Sequence, residues 1–271
     1  MTRVFVETTV LADALLKPGV RAKAAKDAIN AADESLLPVY AIKEFKAGPL
    51  HHYVWFHGKL VTTQSWSKTL EQLRKTAMSS FKARWVSTSV EALEAAAVKN
   101  RPVRLKQLVE KYGADATEDR TVCDRYRLAL RSIIMRGWKG RRKLTTRVIH
   151  ELECYPEDEL REDRGLIELG ETDCHPKDEC ALASRLRREP KQLEALQNAV
   201  EQQPSKPENQ KRLQTLRELR RPSKKLSSSQ CRHLGDAVFA FFCPQDATIL
   251  TTNERDLRPL AEAVGKTVQT P

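Results

Sequence analysis

The sequence predicts an α/β protein with a central parallel sheet and large helical insertions. Short runs of β-branched and aromatic residues alternate with longer segments whose apolar residues recur at three- and four-residue spacing. This alternation is the pattern of parallel strands covered by helices. The chain has 271 residues, 40% of them hydrophobic and 31% charged, which is enough to bury a substantial core in a globular protein.

The N-terminal third predicts one strand followed by helices. "RVFVETTVL" is a short β-branched and aromatic run typical of a buried strand, and helical patterns follow at 9–16 and 20–33. "LLPVYAIKEFKAGPL" then gives a short apolar stretch and a helix that we expect Gly48–Pro49 to end. More helix is predicted from Trp55 to about Ala97.

The second half returns to strand–helix alternation. "RGLIELG" (164–170) predicts a second buried strand, with a helix in "KDECALASRLRR" after it. Prolines interrupt an amphipathic helical segment at 189–226. "SSSQCRHLGDAVFAFFC" predicts a helix with a serine N-cap, "ATILTT" a strand, and "DLRPLAEAVG" a helix that ends at Gly265.

The charge is strongly positive and unevenly distributed. Lysine and arginine outnumber aspartate and glutamate by 47 to 36, a net charge of +11, which favours a polyanionic partner, nucleic acid first and a membrane surface second. Basic residues are concentrated at 101–147 and 211–225, and acidic residues dominate 151–179. Such blocks are solvated faces or a groove for a phosphate backbone.

Several classes of protein are disfavoured by composition. No apolar run approaches the roughly 20 residues that span a bilayer, so no membrane protein is expected. Glu7 and Asp13 interrupt the apolar N-terminus, which lacks a cleavage site, and this argues against a signal peptide. Six cysteines without framework spacing indicate reduced thiols and hence a cytoplasmic protein.

Four carboxylates fall where an α/β sheet brings residues together. Glu7 follows the first strand, Glu44 lies on an early helix, Asp236 lies on a late helix, and Asp256 comes just beyond the last strand. Ligands of such sheets bind at the carboxyl ends of the strands. Because clustered carboxylates repel one another, their burial together requires a cation, and Mg²⁺ or Mn²⁺ suits such oxygen ligands.

These segments resemble a known family. "VFVETTVL", "AIKEFKAG", "HLGDAVFAFF" and "ILTTNERDL" resemble, in order, the four signature segments of PIN-domain ribonucleases. The resemblance implies a PIN-like three-layer fold with a central parallel sheet. It also implies metal-binding and catalytic acids at Glu7, Glu44, Asp236 and Asp256, with supporting polar groups at Thr8, Thr252 and Asn253.

The match to this family has one departure and several gaps. Glu7 stands where the family has aspartate, and its extra methylene extends the carboxylate by about 1.5 Å. "GLIELGETDCHPKDECALASRLRR" resembles the family's central strand and following helix. The resemblance divides the chain into a PIN-like core and two insertions: core at 1–84, 161–188 and 227–271, a basic helical insertion at 85–160, and a helical insertion at 189–226.

The function that the resemblance implies is divalent-metal-dependent endonucleolytic cleavage of RNA, in which a metal-activated water attacks the phosphate. The alternatives are a catalytically weakened PIN-like module that binds RNA or a partner, and a nuclease acting on single-stranded or branched DNA. A toxin neutralised by an antitoxin, another protein partner, and a homodimer also stay open. The residues that we expect to contact nucleic acid are those of "RGWKGRRK": Arg136, Trp138, Lys139, Arg141, Arg142 and Lys143.

Some of these residues also have plain structural interpretations. Asp256 precedes a helix and is suited to be its N-cap, and Glu44 alone is typical of an exposed helical position. Asp236 interrupts an apolar helical face, where a charge needs a partner. A zinc site at Cys154, Cys174, His175 and Cys180 lacks a Cys-x₂₋₄-Cys pair, which favours free thiols there.

Overall fold

The protein is described by a computed structural model, which covers residues 2–77, 83–99, 117–152, 160–170, 181–221 and 225–271. The strands are β1 (Arg3–Val6), β2 (Glu34–Pro38), β3 (Arg147–Ile149), β4 (Arg161–Asp163), β5 (Leu166–Glu168), β6 (Thr248–Leu250) and β7 (Thr267–Gln269). Five of them form one sheet in the order β3-β2-β1-β6-β7, and every neighbouring pair is parallel. The predicted α/β fold with a central parallel sheet is confirmed.

The sheet is buried at its centre and more exposed at its edges. In the central strand β1, Phe5 and Val6 are fully buried, as are Ile249 and Leu250 of the neighbouring β6. Parallel strands covered on both faces read as such continuous apolar runs. The two edge strands β3 and β7 were not predicted, because each is only three residues long and lacks an apolar run.

The helices surround this sheet and make up most of the described chain. In chain order they are α1 (Thr8–Leu16), α2 (Gly19–Asn30), α3 (Val39–Phe45), α4 (His51–Thr63), α5 (Trp66–Ala77), α6 (Ala83–Lys99), α7 (Thr117–Leu144), α8 (Ala181–Arg188), α9 (Pro190–Glu201), α10 (Pro207–Leu219), α11 (Ser228–Leu234), α12 (Asp236–Phe242) and α13 (Glu254–Ala263). Helices α9 and α10 lie within the predicted helical segment 189–226.

The expected helix end at Gly48–Pro49 is wrong. A π-helical turn, Lys46–Leu50, joins α3 directly to α4, so the chain stays helical through the proline. Proline lacks the N–H that an α-helical turn requires, and a π turn changes the local hydrogen-bond register. Gly48–Pro49 therefore marks a change from α-helical to π-helical geometry and not the end of the helix.

The expectation that 164–170 forms a buried strand of the central sheet is also wrong. Strands β4 and β5 pair antiparallel in a separate hairpin, which packs against α4. The turn consists of Arg164 and Gly165, both with positive φ, the geometry that two-residue hairpin turns favour. Only Ile167 of β5 is buried, because the side chains on either side of it point to solvent.

The predicted helix at 227–243 is present but divided. Ser227 caps α11 in a capping box with Gln230, as predicted for the serine. Gly235, with φ +37°, then separates α11 from α12. Few residues other than glycine adopt such a φ, and the break makes Asp236 the first residue of α12.

His57, a buried histidine in α4, makes the stability of the protein depend on pH. His57 is fully buried, and neither ring nitrogen has a hydrogen-bond partner among the described residues. Burial, followed by the charge of Arg127, lowers its pKa from 6.5 to about 4. Its neutral form is therefore the one that the fold accepts.

We predict that acid destabilises the protein through His57. A base whose pKa is lowered on folding contributes stability that is present above its unfolded pKa, near 6.5, and is lost as the pH falls to about 4. The loss amounts to about 3 kcal/mol of unfolding free energy, at about 1.4 kcal/mol per pKa unit. Urea titrations between pH 7.5 and 4.5 should show a smaller acid loss for His57→Leu than for wild type. Equal losses in the two proteins would contradict this assignment.

Candidate functional site

The candidate site is built where the two central strands end. Val6 of β1 is in register with Leu250 of β6, and the next backbone N–H, that of Glu7, donates to the Leu250 carbonyl at 3.0 Å. Glu7 and Thr251 are therefore the first residues beyond two adjacent parallel strands. This carboxyl edge is where the sequence predicted the acidic residues to meet.

Glu7 is buried at this edge and acts as the N-cap of α1. Its Oε2 accepts from the backbone N–H of Thr9 at 3.0 Å and from the hydroxyl of Thr251 at 3.0 Å, and the Thr9 hydroxyl donates to the same oxygen. The side chain is only 3% exposed. The longer glutamate side chain thus ties β1, β6 and α1 together through two threonines.

Glu44 reaches the same edge from α3. The hydroxyl of Thr8, the first residue of α1, donates to Glu44 Oε2 at 2.9 Å. Glu44 is partly buried rather than fully exposed, so the plain interpretation of an exposed helical glutamate does not describe it. Thr8, predicted as a supporting polar group, fixes the orientation of this carboxylate.

Asp236 enters from the start of α12 and is paired with an arginine. Its Oδ2 accepts from Arg212 Nη2 at 2.8 Å, and the two side chains are only 16% and 10% exposed. A Cβ built on Gly235 would lie 3.9 Å from both Arg212 Nη2 and Glu44 Oε1. The glycine therefore marks the point at which the third carboxylate, its arginine and Glu44 come close together.

The three carboxylates influence one another electrostatically. Burial, with a further contribution from the charge of Asp236, raises the pKa of Glu7 to about 7. Burial and the charges of Glu7 and Asp236 raise the pKa of Glu44 to about 8. Burial also raises the pKa of Asp236, which Arg212 opposes. Surplus negative charge at one buried point favours protonation or a cation.

Asp256 lies at the rim of this cluster. It belongs to the first turn of α13, and its side chain is 39% exposed and lies 3.6 Å from Lys206 Nζ. Its charge contributes to the raised pKa of Asp236. The N-cap position of α13 belongs to Asn253, so the N-cap interpretation of Asp256 is wrong.

The other predicted polar groups act mainly through their backbones. The N–H of Thr252 donates to the Thr9 hydroxyl at 3.1 Å, and the N–H of Asn253 donates to the Thr251 hydroxyl at 2.9 Å. The hydroxyls that hold Glu7 belong to Thr9 and Thr251, which sequence reasoning missed. Each is adjacent to a predicted threonine in a "TT" pair, and this pair was the available signal.

Arg212 is the other residue that sequence reasoning did not single out. It lies in the basic block 211–225, whose residues were expected to position a phosphate backbone. The structure instead buries its guanidinium against Asp236. No spacing in the sequence distinguishes Arg212 from the other arginines of α10, because the contact depends on how α10 packs against α11.

The basic block of α7 lies away from the acidic cluster. Gly137 packs against Leu15 and Leu16 at the far end of α1, which begins beside Glu7 and whose nine residues extend about 13 Å. The block's exposed members are Arg136, Lys139, Arg142 and Lys143.

The expectation that Trp138 stacks on a base requires correction. Trp138 is only 3% exposed and belongs to the core, with the Arg141 guanidinium 3.4 Å from its ring centroid. Arg141 is itself only 5% exposed. Because the indole ring of Trp138 packs in the core, it is not available to stack on a base.

Two other expectations concern metal ligands and membrane spans. The residues considered for a zinc site lie outside the described residues; they are Cys154, Cys174, His175 and Cys180. Within the described ranges, no three Asp, Glu, His or Cys side chains form a ready-made metal-ligand group. Across these same ranges, no helix has the length and apolar character needed to cross a membrane.

No protein-family model matches the sequence, and comparisons with curated proteins and with solved structures likewise find no match. The resemblance to PIN-domain ribonucleases therefore depends on the motif residues themselves.

We predict that Glu44 destabilises the protein at alkaline pH. An acid whose pKa is raised on folding contributes stability that is present below its unfolded pKa, near 4.5, and is lost as the pH rises through its folded pKa, about 8. In EDTA, Glu44→Gln should therefore unfold at higher urea concentration than wild type at pH 8.5, with a smaller difference at pH 5.

Glu168→Gln, on the exposed face of β5, controls for the loss of one negative charge. If Glu44→Gln is less stable than wild type at both pH values, ionisation of Glu44 does not destabilise the folded protein and the prediction is contradicted.

Proposed function

We propose that this protein is a divalent-metal-dependent endoribonuclease of the PIN type. The observation that carries the proposal is the meeting of Glu7, Glu44 and Asp236 at the carboxyl edge of the sheet, where burial and neighbouring carboxylates raise their pKa values. Perturbed carboxylates grouped at such an edge are typical of functional sites. Asp256 at the rim completes the set of four acids that the motif resemblance implies.

The donor set fits Mg²⁺ or Mn²⁺ in its chemistry. All four groups offer hard oxygen ligands, and a divalent cation would offset charge that the fold otherwise buries at a cost. Glu7, Glu44, Asp236 and Asp256 are the residues that would hold it. When bound, such a cation activates water and stabilises the charge that develops on a phosphodiester.

The chain's own residues orient these acids. The hydroxyls of Thr9 and Thr251 hold the carboxylate of Glu7, and the hydroxyl of Thr8 holds that of Glu44. Thr8 and Thr9 begin α1 and Thr251 directly follows β6, so Glu7 and Glu44 are held by residues at the ends of regular elements. Such preorganisation keeps reacting groups in place without reordering during the reaction.

A groove beside the rim suits a phosphate backbone. It has a volume of about 610 Å³ and lies between α9 and α13, and its charged lining residues are Lys206, Arg255, Asp256 and Glu262. Basic side chains next to an acidic cluster would guide a polyanion across it, and such contacts provide affinity rather than sequence choice. We therefore assign the groove, and not the α7 block, as the path of RNA nearest the site.

A second candidate function is a binding module with weakened catalysis, acting on RNA or a protein partner. Two observations favour it. Arg212 already neutralises Asp236, and the Glu7 carboxylate already accepts from two threonine hydroxyls and a backbone N–H. A nuclease acting on single-stranded DNA has the same requirements at this site, since nothing here distinguishes a 2′-hydroxyl.

We predict metal-dependent cleavage that needs Asp236. Wild-type protein incubated with mixed structured and single-stranded RNA should cleave it in Mn²⁺ or Mg²⁺ and not in EDTA. Asp236→Asn keeps the shape of the side chain and removes one charge, so its cleavage rate should fall by about a hundredfold or more. Asp163→Asn, on the exposed strand β4, is the matched control and should cleave like wild type.

Two results would speak against this proposal. RNA that stays intact with wild type in every metal, yet is bound, would favour the binding module. Cleavage that survives Asp236→Asn would indicate a contaminating nuclease or a site elsewhere. Single-stranded DNA in a parallel reaction separates the two nuclease alternatives.

We also predict which basic surface binds RNA. In EDTA, the double variant Lys206→Gln/Arg255→Gln should weaken RNA binding and lower the slope of log affinity against log salt by about 1 to 1.5, since each lost phosphate contact on a single strand contributes about 0.7. The comparison variant replaces Arg136, Lys139, Arg142 and Lys143 with glutamine and should keep the wild-type slope. A slope that falls only in the second variant would assign RNA binding to the α7 block.

A further inference from the structure

Arg212 is held in a defined position inside the acidic cluster. Its Nη2 donates to Asp236 Oδ2 at 2.8 Å, its Nε to the His233 carbonyl at 3.3 Å, and its Nη1 to Asn209 Oδ1 at 3.5 Å. The side chain is 10% exposed. An arginine with partners on three of its nitrogens is oriented by the fold, unlike a surface arginine that samples many positions.

The charge of Arg212 has a specific effect at this location. The Arg212 guanidinium places a positive charge directly beside Asp236. A buried ion pair of this kind is costly to desolvate, and removing one partner leaves the other uncompensated. Arg212 is therefore the positive partner of Asp236 in this buried position.

A second cation comes from the same segment. Lys206, immediately before α10, lies 3.6 Å from Asp256, and the neighbouring Gln203 donates from Nε2 to the Asp256 carbonyl at 3.2 Å. Residues 203–212 thus extend from Asp256 to Asp236 and place one cation on each aspartate. The two aspartates have their positive partners on one continuous piece of chain.

This arrangement conflicts with direct binding of a divalent ion. The Asp236 oxygen that accepts from Arg212 is one of the oxygens that a metal would use, and a guanidinium a few ångströms from a doubly charged ion is strongly repelled. Arg212 and a divalent ion bound to this same Asp236 oxygen would compete for it. A displaced Arg212 would also lose its positions on His233 and Asn209.

We infer that Arg212 is a built-in counter-ion which a divalent cation must displace from Asp236, so that residues 203–212 regulate metal binding at the acidic cluster. This inference rests on the proposed function, because it concerns the same site. Arg212 is then a positioning residue: it orients the Asp236 carboxylate, and its charge sets the affinity for the metal.

The test measures Mn²⁺ binding to the full chain, with free Mn²⁺ followed by its electron paramagnetic resonance signal. Arg212→Gln should bind Mn²⁺ about tenfold or more tightly than wild type, because the competing charge is gone. Arg217→Gln is the matched control, since Arg217 lies on the same helix but pairs with Glu201 at the surface. It should bind like wild type, and Asp236→Asn should bind more weakly.

The outcomes separate this inference from the proposed function. If wild type binds Mn²⁺ and Asp236→Asn loses it, while Arg212→Gln binds no more tightly, the counter-ion role is overturned and the metal site stands. If neither wild type nor Arg212→Gln binds Mn²⁺, both are overturned. Should Arg212→Gln fail to fold, Arg212→Met replaces it, since methionine also removes the charge and keeps an unbranched side chain. It should also bind more tightly than wild type, and unchanged or weaker binding would overturn the inference.

Discussion

The structure depends on how it compensates buried negative charge at the carboxyl edge of β1 and β6. The parallel pairing of these strands brings Glu7 to a position where water is excluded, and its carboxylate is satisfied by Thr9 and Thr251. Unpartnered, such a charge would cost several kcal/mol. The same hydrogen bonds cap the N-terminus of α1 and connect it to the end of β6. The buried carboxylate of Glu7 therefore also holds these two elements together.

The four acids are compensated in different ways. Glu7 is held by hydroxyls and a backbone N–H, Asp236 by a buried guanidinium, and Asp256 by a partly exposed lysine. Glu44, whose pKa rises to about 8, has the least compensation. A cation that entered between Glu44 and Asp236 would therefore relieve the greatest stress. This difference in compensation connects the electrostatics of the fold with the proposed chemistry.

The sequence predicted the parallel sheet because its two central strands follow short-range patterns. Apolar β-branched runs mark β1 and β6, and parallel topology places the residues after both strands at one edge. Arg212, Trp138 and the β4–β5 hairpin were not predicted correctly because each depends on packing between distant segments. Gly48–Pro49 shows the same limit locally: it signals altered helical geometry, and only the structure distinguishes a π turn from a helix end.

The proposed function requires that Glu44 and Asp236, together with Glu7 and Asp256, hold a divalent cation. Crystals grown with Mn²⁺ and measured at an energy where manganese scatters anomalously would test it most directly. We expect an anomalous peak at roughly 2.0–2.2 Å from oxygens of Glu44 and Asp236, with Arg212 turned away from Asp236. A map without a peak at this edge, with Arg212 still paired to Asp236 at saturating Mn²⁺, would contradict it.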